Sequence, residues 1–105
     1  MAQAHRVAKT KDIEDEAGKA FKIGNLEIAI WKTGGTFYAT DDICTHAYAS
    51  MADGYVEDGC AECPLHAGRF EIATGKAMGS PVFTDLKTYP VRIEGDDIIV
   101  EVPDA

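Results

Sequence analysis

Two cysteine–histidine pairs constrain this chain more than any other feature of its sequence. The first is Cys44-Thr45-His46, the second is Cys63-Pro64-Leu65-His66, and sixteen residues lie between them. Thiols and imidazoles at such close spacing are typical of metal ligands. Because each pair offers one sulfur and one nitrogen, two loops that face one another would supply two sulfur and two nitrogen ligands. The sequence therefore predicts a metal centre held between two loops.

Two kinds of metal centre use this donor set. Zinc accepts two Cys and two His in a tetrahedral site, and Cys60-Ala61-Glu62-Cys63 is itself a C-x-x-C sequence. A [2Fe–2S] cluster with neutral imidazoles in place of two thiolates carries less negative charge, so its potential rises to about −150 to +300 mV, against roughly −400 mV for plant-type clusters. Zinc ligand pairs are usually separated by two or more residues, whereas Thr45 alone separates Cys44 from His46. This spacing favours the cluster and leaves a structural zinc module as the alternative.

Short strands and turns account for most of the remaining sequence. The segments with strand character are Phe21–Ile23, Leu26–Trp31, Thr36–Ala39, Tyr55-Val56, Cys60–Glu62, Arg69–Ile72, Thr88–Ile93 and Ile98–Val102. Glycine-bearing turns are expected to join three pairs of these strands into hairpins, at Gly24-Asn25, at Lys32–Gly35 and at Glu94–Asp97. No long segment sustains a helical period of apolar residues, and only Lys11–Ala17 is interpreted as one short helical turn. The pattern predicts an all-β protein.

The length of 105 residues predicts a single domain. The middle of the chain, from about 41 to 80, holds all three cysteines and has only brief strand signals. We therefore expect a loop-rich cluster-binding subdomain at about 41–80, set into an antiparallel base formed by about 1–40 and 81–105.

Charge and hydropathy narrow the possible partners. The 18 acidic and 10 basic residues give a net charge of −8, which disfavours nucleic acid and anionic membranes as partners. No stretch is long and apolar enough to span a membrane, and the N-terminal residues have no apolar core of a secretory signal. The sequence predicts a cytoplasmic protein in which a disulfide framework is not expected.

The two ligand boxes, followed by Gly68 and Phe70, resemble the cluster-binding loops of Rieske proteins. From about Val7 to Val102 the chain resembles the small Rieske ferredoxins of bacterial aromatic-ring-hydroxylating dioxygenases, most closely at Asp41–Met51 and Asp53–Val56. This resemblance implies a Rieske fold, in which about three antiparallel sheets carry inserted cluster loops. It implies one [2Fe–2S] Rieske cluster, with Cys44 and Cys63 on the inner iron and His46 and His66 on the outer iron.

The resemblance also implies a function. Ferredoxins of this kind are not enzymes, but carry single electrons from a flavin-dependent NAD(P)H reductase to a terminal ring-hydroxylating oxygenase. The alternatives are a Rieske small subunit of another oxidoreductase, such as a nitrite reductase, and the zinc module.

Several positions depart from the Rieske proteins of respiratory complexes. Ala49 and Leu65 stand where those proteins carry a disulfide, and Gly68 and Phe70 stand where they place hydroxyl donors near the cluster. Fewer donors to sulfur predict a potential at the low end of the Rieske range. Cys60 is predicted to be a small buried side chain on a strand.

Overall fold

Three antiparallel sheets form the protein in a computed structural model that describes residues 2–44, 49–64, 68–78 and 84–103. The strands are β1 (Ala2–Lys9), β2 (Ala17–Ile23), β3 (Leu26–Thr33), β4 (Thr36–Asp41), β5 (Tyr55–Glu57), β6 (Cys60–Glu62), β7 (Arg69–Glu71), β8 (Thr88–Tyr89), β9 (Val91–Glu94) and β10 (Asp97–Pro103). The sheets have the orders β1-β10-β9, β2-β3-β4-β8 and β5-β6-β7. Two short 3-10 helices lie at Thr10–Asp12 and Met51–Asp53. The predicted all-β class is confirmed.

The predicted hairpins form with tight turns. Strands β2 and β3 meet at the pair Ile23 and Leu26, and β3 and β4 meet at Thr33 and Thr36. Gly34 and Gly35 connect the second pair with φ of 59° and 78°, a left-handed conformation that glycine adopts without steric cost. The C-terminal hairpin joins β9 to β10, and the three brief central strands pair as β5-β6-β7.

Two predicted elements are wrong, and one strand was missed. Thr88–Ile93 is two strands in different sheets, because Pro90 has no N–H for a ladder and separates β8 from β9. The helical turn predicted at Lys11–Ala17 is instead the 3-10 helix at Thr10–Asp12, because Glu16 has a φ of 53° that ends any helix and Ala17 begins β2. Strand β1 was not predicted, since its sequence has only weak apolar alternation.

Strand β3 lies between the two cores of the molecule. Its four successive buried residues run from Ile28 to Trp31, and successive side chains of a strand point to opposite faces. Ile28 and Ile30 therefore face one core, and Ala29 and Trp31 face the other. A strand buried on both faces reads as a continuous apolar run, which explains the sequence of β3.

The two cores have different compositions. The base core consists of the buried residues Ile13, Ile28, Ile30, Ala39, Tyr89, Ile98, Val100 and Val102. The cysteine core consists of Ala29, Trp31, Cys44, Met51, Ala61, Cys63, Phe70, Ile72 and Leu86. The base core joins the sheet of β10 to that of β3, and the cysteine core joins the sheet of β3 to that of β6.

Trp31 is the largest fully buried side chain and lies in the cysteine core. Its indole N–H donates to the hydroxyl of Thr40 at 2.9 Å, which satisfies the buried donor. Gly18 pairs with Trp31 across β2 and β3, and a Cβ at Gly18 would clash with the indole ring. The absence of a side chain at Gly18 therefore makes room for the ring.

Candidate metal centre

The first cysteine lies at the start of a loop that is closed by backbone hydrogen bonds. After β4 ends at Asp41, Ile43 forms an isolated antiparallel bridge with Ser50. The N–H of Cys44 then donates to the carbonyl of Ala49 at 3.0 Å. Cys44 is thus fixed where the two arms of the loop come together.

The second cysteine occupies the same place in its own loop. Strand β6 ends at Glu62, and the N–H of Cys63 donates to the carbonyl of Gly68 at 2.6 Å, just before β7 begins. In both loops the cysteine N–H bonds to the carbonyl of the residue five positions later. The same backbone hydrogen bond therefore fixes both cysteines at the start of their loops.

Both sulfurs are removed from solvent and lie in one core. Cys44 is 4% exposed, Cys63 is 2% exposed, and both belong to the cysteine core. Neither forms a disulfide, although all three cysteines lie in the described part of the chain. A thiolate is the ligand form of cysteine, and a buried thiolate requires a compensating cation or donors. Two thiols brought together in a dry core at the roots of two loops fit an iron–sulfur cluster.

The two histidines predicted as ligands, His46 and His66, lie outside the described residues, as do Thr45 and Leu65. Within the described ranges, no group of three or more potential ligands comes together. The structure thus brings together the sulfur half of the predicted set, and the nitrogen half stays a prediction.

Cys60 differs from the other two cysteines and from its prediction. It is half-buried rather than buried, and lies on β6 opposite Glu57 and Glu71. Because strand side chains alternate, Cys60 and Glu62 point to the outer face of the sheet, while Ala61 and Cys63 are buried on the inner side. Cys60 therefore cannot join Cys63 on one metal ion without rearrangement of the strand, which argues against a C-x-x-C zinc site.

Asp42 is a residue of the site that sequence reasoning missed. Its side chain is only 4% exposed, and its carboxylate accepts hydrogen bonds from the hydroxyl of Ser50 at 2.6 Å and from the N–H of Ala52 at 3.0 Å. Its backbone also bonds to both sides, to Glu27 and to Met51. Nothing in the sequence separates Asp42 from its exposed-looking neighbour Asp41, because the partners that bury it come from outside the local pattern.

Asp41 points the other way and connects the loop to the base. The phenol of Tyr89 donates to the carboxylate of Asp41 in a very short hydrogen bond. Burial raises the pKa of Tyr89, and the bond to Asp41 and the negative charge of that carboxylate raise it further. Tyr89 thus stays protonated over the whole physiological range and keeps this contact.

Comparison with known proteins identifies the class of this centre. The model of the Rieske [2Fe-2S] domain matches residues 3–90. The ferredoxin component of naphthalene 1,2-dioxygenase/salicylate 5-hydroxylase systems from Ralstonia sp. is 44% identical over 91 residues, which cover 87% of this chain and 88% of that protein. The 3-phenylpropionate/cinnamic acid dioxygenase ferredoxin subunit from Shigella flexneri serotype 5b is 48% identical over 90 residues, with coverages of 84% and 85%.

A solved structure of a complex of reduced oxygenase and oxidized ferredoxin in carbazole 1,9a-dioxygenase contains a similar chain. That chain matches with a TM-score of 0.86 and 30% identity, over 92% of this chain and 91% of the other. The described part of the present chain contains no helix that could span a membrane.

The chain therefore belongs to the Rieske [2Fe-2S] family. Its relatives are ferredoxins, so it is an electron carrier with one Rieske cluster rather than an enzyme. The predictions of family, fold, cofactor and electron-carrier role are confirmed. The alternative of a structural zinc module is wrong.

Proposed function

We propose that this protein is the ferredoxin component of an aromatic-ring-hydroxylating dioxygenase system. It would accept one electron at a time from a flavin-dependent NAD(P)H reductase and deliver it to a terminal oxygenase. The observation that carries the proposal is the matched pair of buried thiols at the roots of two equivalent loops. The names of these relatives, both ferredoxins of dioxygenase systems, support the choice of pathway.

The proposed ligands are Cys44 and Cys63 through sulfur and His46 and His66 through nitrogen. A cluster bound in this way supplies reversible one-electron transfer without a change of ligands. The chain itself fixes the two cysteines, because the backbone N–H of each one makes the hydrogen bond that closes its loop. The cysteine core around them, with Trp31 and Met51 among its members, keeps water from the sulfurs.

The surroundings of the thiols support a potential at the low end of the Rieske range. Gly68 is buried and has no side chain, and Phe70 is fully buried with no polar atom in its side chain. Fewer hydrogen bonds to sulfur leave the reduced state less stabilised. Such a carrier suits transfer from a flavin to an oxygenase better than oxidation of a quinol.

The remaining parts of the proposal concern organisation and place. We propose that the chain works as one domain, in which residues 41–80 form the cluster-binding subdomain and 1–40 with 81–105 form the base. The three reduced cysteines and the net charge of −8 suit the cytoplasm, where the reductase and the oxygenase would also be found.

Analysis of iron and acid-labile sulfide, with substitution of each cysteine, tests the ligand set. We expect two irons and two sulfides per chain in the wild type, loss of both in Cys44→Ser and Cys63→Ser, and full retention in Cys60→Ser. Cys60→Ser is the matched control, since it removes a thiol from the outer face of β6, the strand that leads into Cys63. A colourless wild-type protein with bound zinc would overturn the proposal.

Reconstitution tests the pathway. The purified ferredoxin is mixed with a flavin-dependent reductase, NADH and a terminal oxygenase with its aromatic substrate, and product is measured. We expect product only when all three proteins are present, and none with Cys63→Ser. If reduced ferredoxin instead passes electrons to a nitrite reductase large subunit and not to any oxygenase, the dioxygenase assignment is wrong.

A further inference from the structure

We propose that Asp42 is the positioning residue of the first cysteine loop and that its buried negative charge holds the cluster potential low. This inference rests on the proposed function, since it assigns a regulator of the potential to the same centre.

The hydrogen bonds of Asp42 close the base of the loop. The carboxylate accepts from Ser50 at 2.6 Å and from the backbone N–H of Ala52 at 3.0 Å. The backbone carbonyl of Asp42 accepts from the N–H of Met51 at 2.6 Å. One residue on the incoming arm thus holds three successive residues on the outgoing arm.

The same residue ties the loop to the central sheet. The backbone N–H of Asp42 donates to the carbonyl of Glu27 at 2.9 Å, at the start of β3. The next rungs above it are the bridge between Ile43 and Ser50 and the bond from Cys44 to Ala49. The two arms of the loop are thus joined by a short ladder of backbone hydrogen bonds. Asp42 makes the first bonds of this ladder, and Cys44 makes the last.

The charge of Asp42 is placed to oppose reduction. Two residues of chain span at most about 7 Å between Cα atoms, so Asp42 is held within that backbone distance of Cys44. Both side chains are at least nine-tenths buried, where charge interactions are weakly screened. Within the described residues no cationic side chain forms an ion pair with Asp42, and the donors that meet its carboxylate there are the Ser50 hydroxyl and the Ala52 N–H. An added electron is repelled by this charge, and the potential falls.

Two substitutions separate the hydrogen bonds that Asp42 makes to Ser50 and Ala52, which we call the clamp, from the negative charge of Asp42. Asp42→Asn keeps both bonds, because the amide oxygen can face the Ala52 N–H while the amide nitrogen donates to the Ser50 hydroxyl, which can accept. Ser50→Ala keeps the charge and removes one bond. Asp41→Asn is the matched control for charge, because it removes the neighbouring carboxylate, whose hydrogen-bond partner is Tyr89 in the base core.

The experiment measures the reduction potential by film voltammetry and the rate of cluster loss by visible absorbance in the presence of a chelator. We expect Asp42→Asn to raise the potential with an unchanged rate of cluster loss, and by more than Asp41→Asn. We expect Ser50→Ala to leave the potential unchanged and to speed cluster loss roughly fivefold, the factor that corresponds to one lost hydrogen bond. An Asp42→Asn potential equal to that of the wild type would overturn the role of the charge.

The clamp has a second test whose readout is not the cluster. Amide hydrogen exchange of the protein as purified should be several-fold faster at Cys44 and Met51 in Ser50→Ala than in the wild type, because both N–H groups bond within the ladder. Unchanged exchange at these two amides would overturn the positioning role. If the wild-type protein binds no iron at all, the proposed function fails. The exchange result still shows whether the hydrogen bonds of Asp42 hold the first cysteine loop in place.

Discussion

The two faces of β3 pack against two cores, the base core and the cysteine core, which differ in the residues that form them. On one face, Ile28 and Ile30 meet Ile98, Val100 and other aliphatic side chains of the base core. On the other face, Trp31 lies in a core that includes Met51 and the two buried cysteines. The same strand therefore contributes to a core without any candidate ligand and to a second core that contains the two cysteine ligands.

The difference shows how the stability of the two halves should depend on the cofactor. The base core joins long strands, with eight residues in β1 and seven in β10. The cysteine core is covered by β5, β6 and β7, which have three residues each. A sheet of such short strands buries little surface of its own, and metal binding that links its loops adds directly to its folding free energy. We infer that the base folds without the cluster and that the cysteine half requires it.

The largest expected effect follows from removal of iron. After chelation, amide exchange should accelerate by about tenfold or more in β5, β6 and β7, because these strands open locally once their loops are no longer linked. Protection in β1, β10 and the base-facing residues of β3 should change little. Exchange measured by mass spectrometry on holo and apo protein makes the comparison.

The matched control for iron removal is the Cys60→Ser variant, which should behave as the wild type in both states because Cys60 lies outside the cysteine core. If protection is lost to the same extent in β10 as in β6, the two halves form one cooperative unit and the base does not fold independently of the cluster.

A smaller effect is expected from a cavity in the base core. Ile30 is fully buried, and Ile30→Ala should lower the free energy of unfolding by about 2–5 kcal/mol. The visible spectrum and the reduction potential should be unchanged, because Ile30 faces away from the cysteines. Chemical denaturation followed by circular dichroism measures the first quantity, and voltammetry measures the second.

Ile93→Ala is the control for the cavity, since Ile93 is 43% exposed and its loss should cost less than about 1 kcal/mol. A shift in potential with Ile30→Ala would show that packing changes cross β3 and that the two cores respond as one.

The sequence predicts the local parts of this fold well. The turns at Gly24-Asn25 and Gly34-Gly35 have a conformation that few residues adopt, so the hairpins they join can be recognised without knowledge of tertiary contacts. The two cysteines can be recognised for a similar reason, because thiols and imidazoles at that spacing have few structural uses. Both signals depend on residues close together in the chain.

The features that sequence reasoning missed depend on distant contacts. Strand β1 is a strand because it pairs with β10 at the other end of the chain, and its own side chains give little sign of it. Asp42 is buried because Ser50 and Ala52 return to it, whereas its neighbour Asp41 has the same local sequence character and a different role. The break at Pro90 could have been predicted, since a proline inside a strand pattern argues for a boundary.

The smallest expected effect concerns the contact between the base core and the start of the first cysteine loop. Tyr89→Phe removes the bond from the phenol to Asp41 and should lower the free energy of unfolding by about 1–2 kcal/mol at neutral pH. The pKa of Tyr89 is raised in the folded state above its ordinary value of 10.0. In the unfolded chain the phenol therefore loses its proton as the pH rises above about 10, while the folded protein keeps it.

The sign of the pH dependence follows from this difference. Above about pH 10 the folded state binds more protons than the unfolded state, so stability falls with rising pH in the wild type and the stability difference from Tyr89→Phe becomes smaller. Denaturation of both proteins at several pH values measures that difference, in which the titrations of lysines and other tyrosines cancel. Cluster loss at neutral pH should be the same in both proteins, because the ladder from Asp42 to Cys44 does not include Tyr89. Faster cluster loss in Tyr89→Phe would mean that the base holds the first loop through Asp41 as well, and the two cores would then be coupled at that contact.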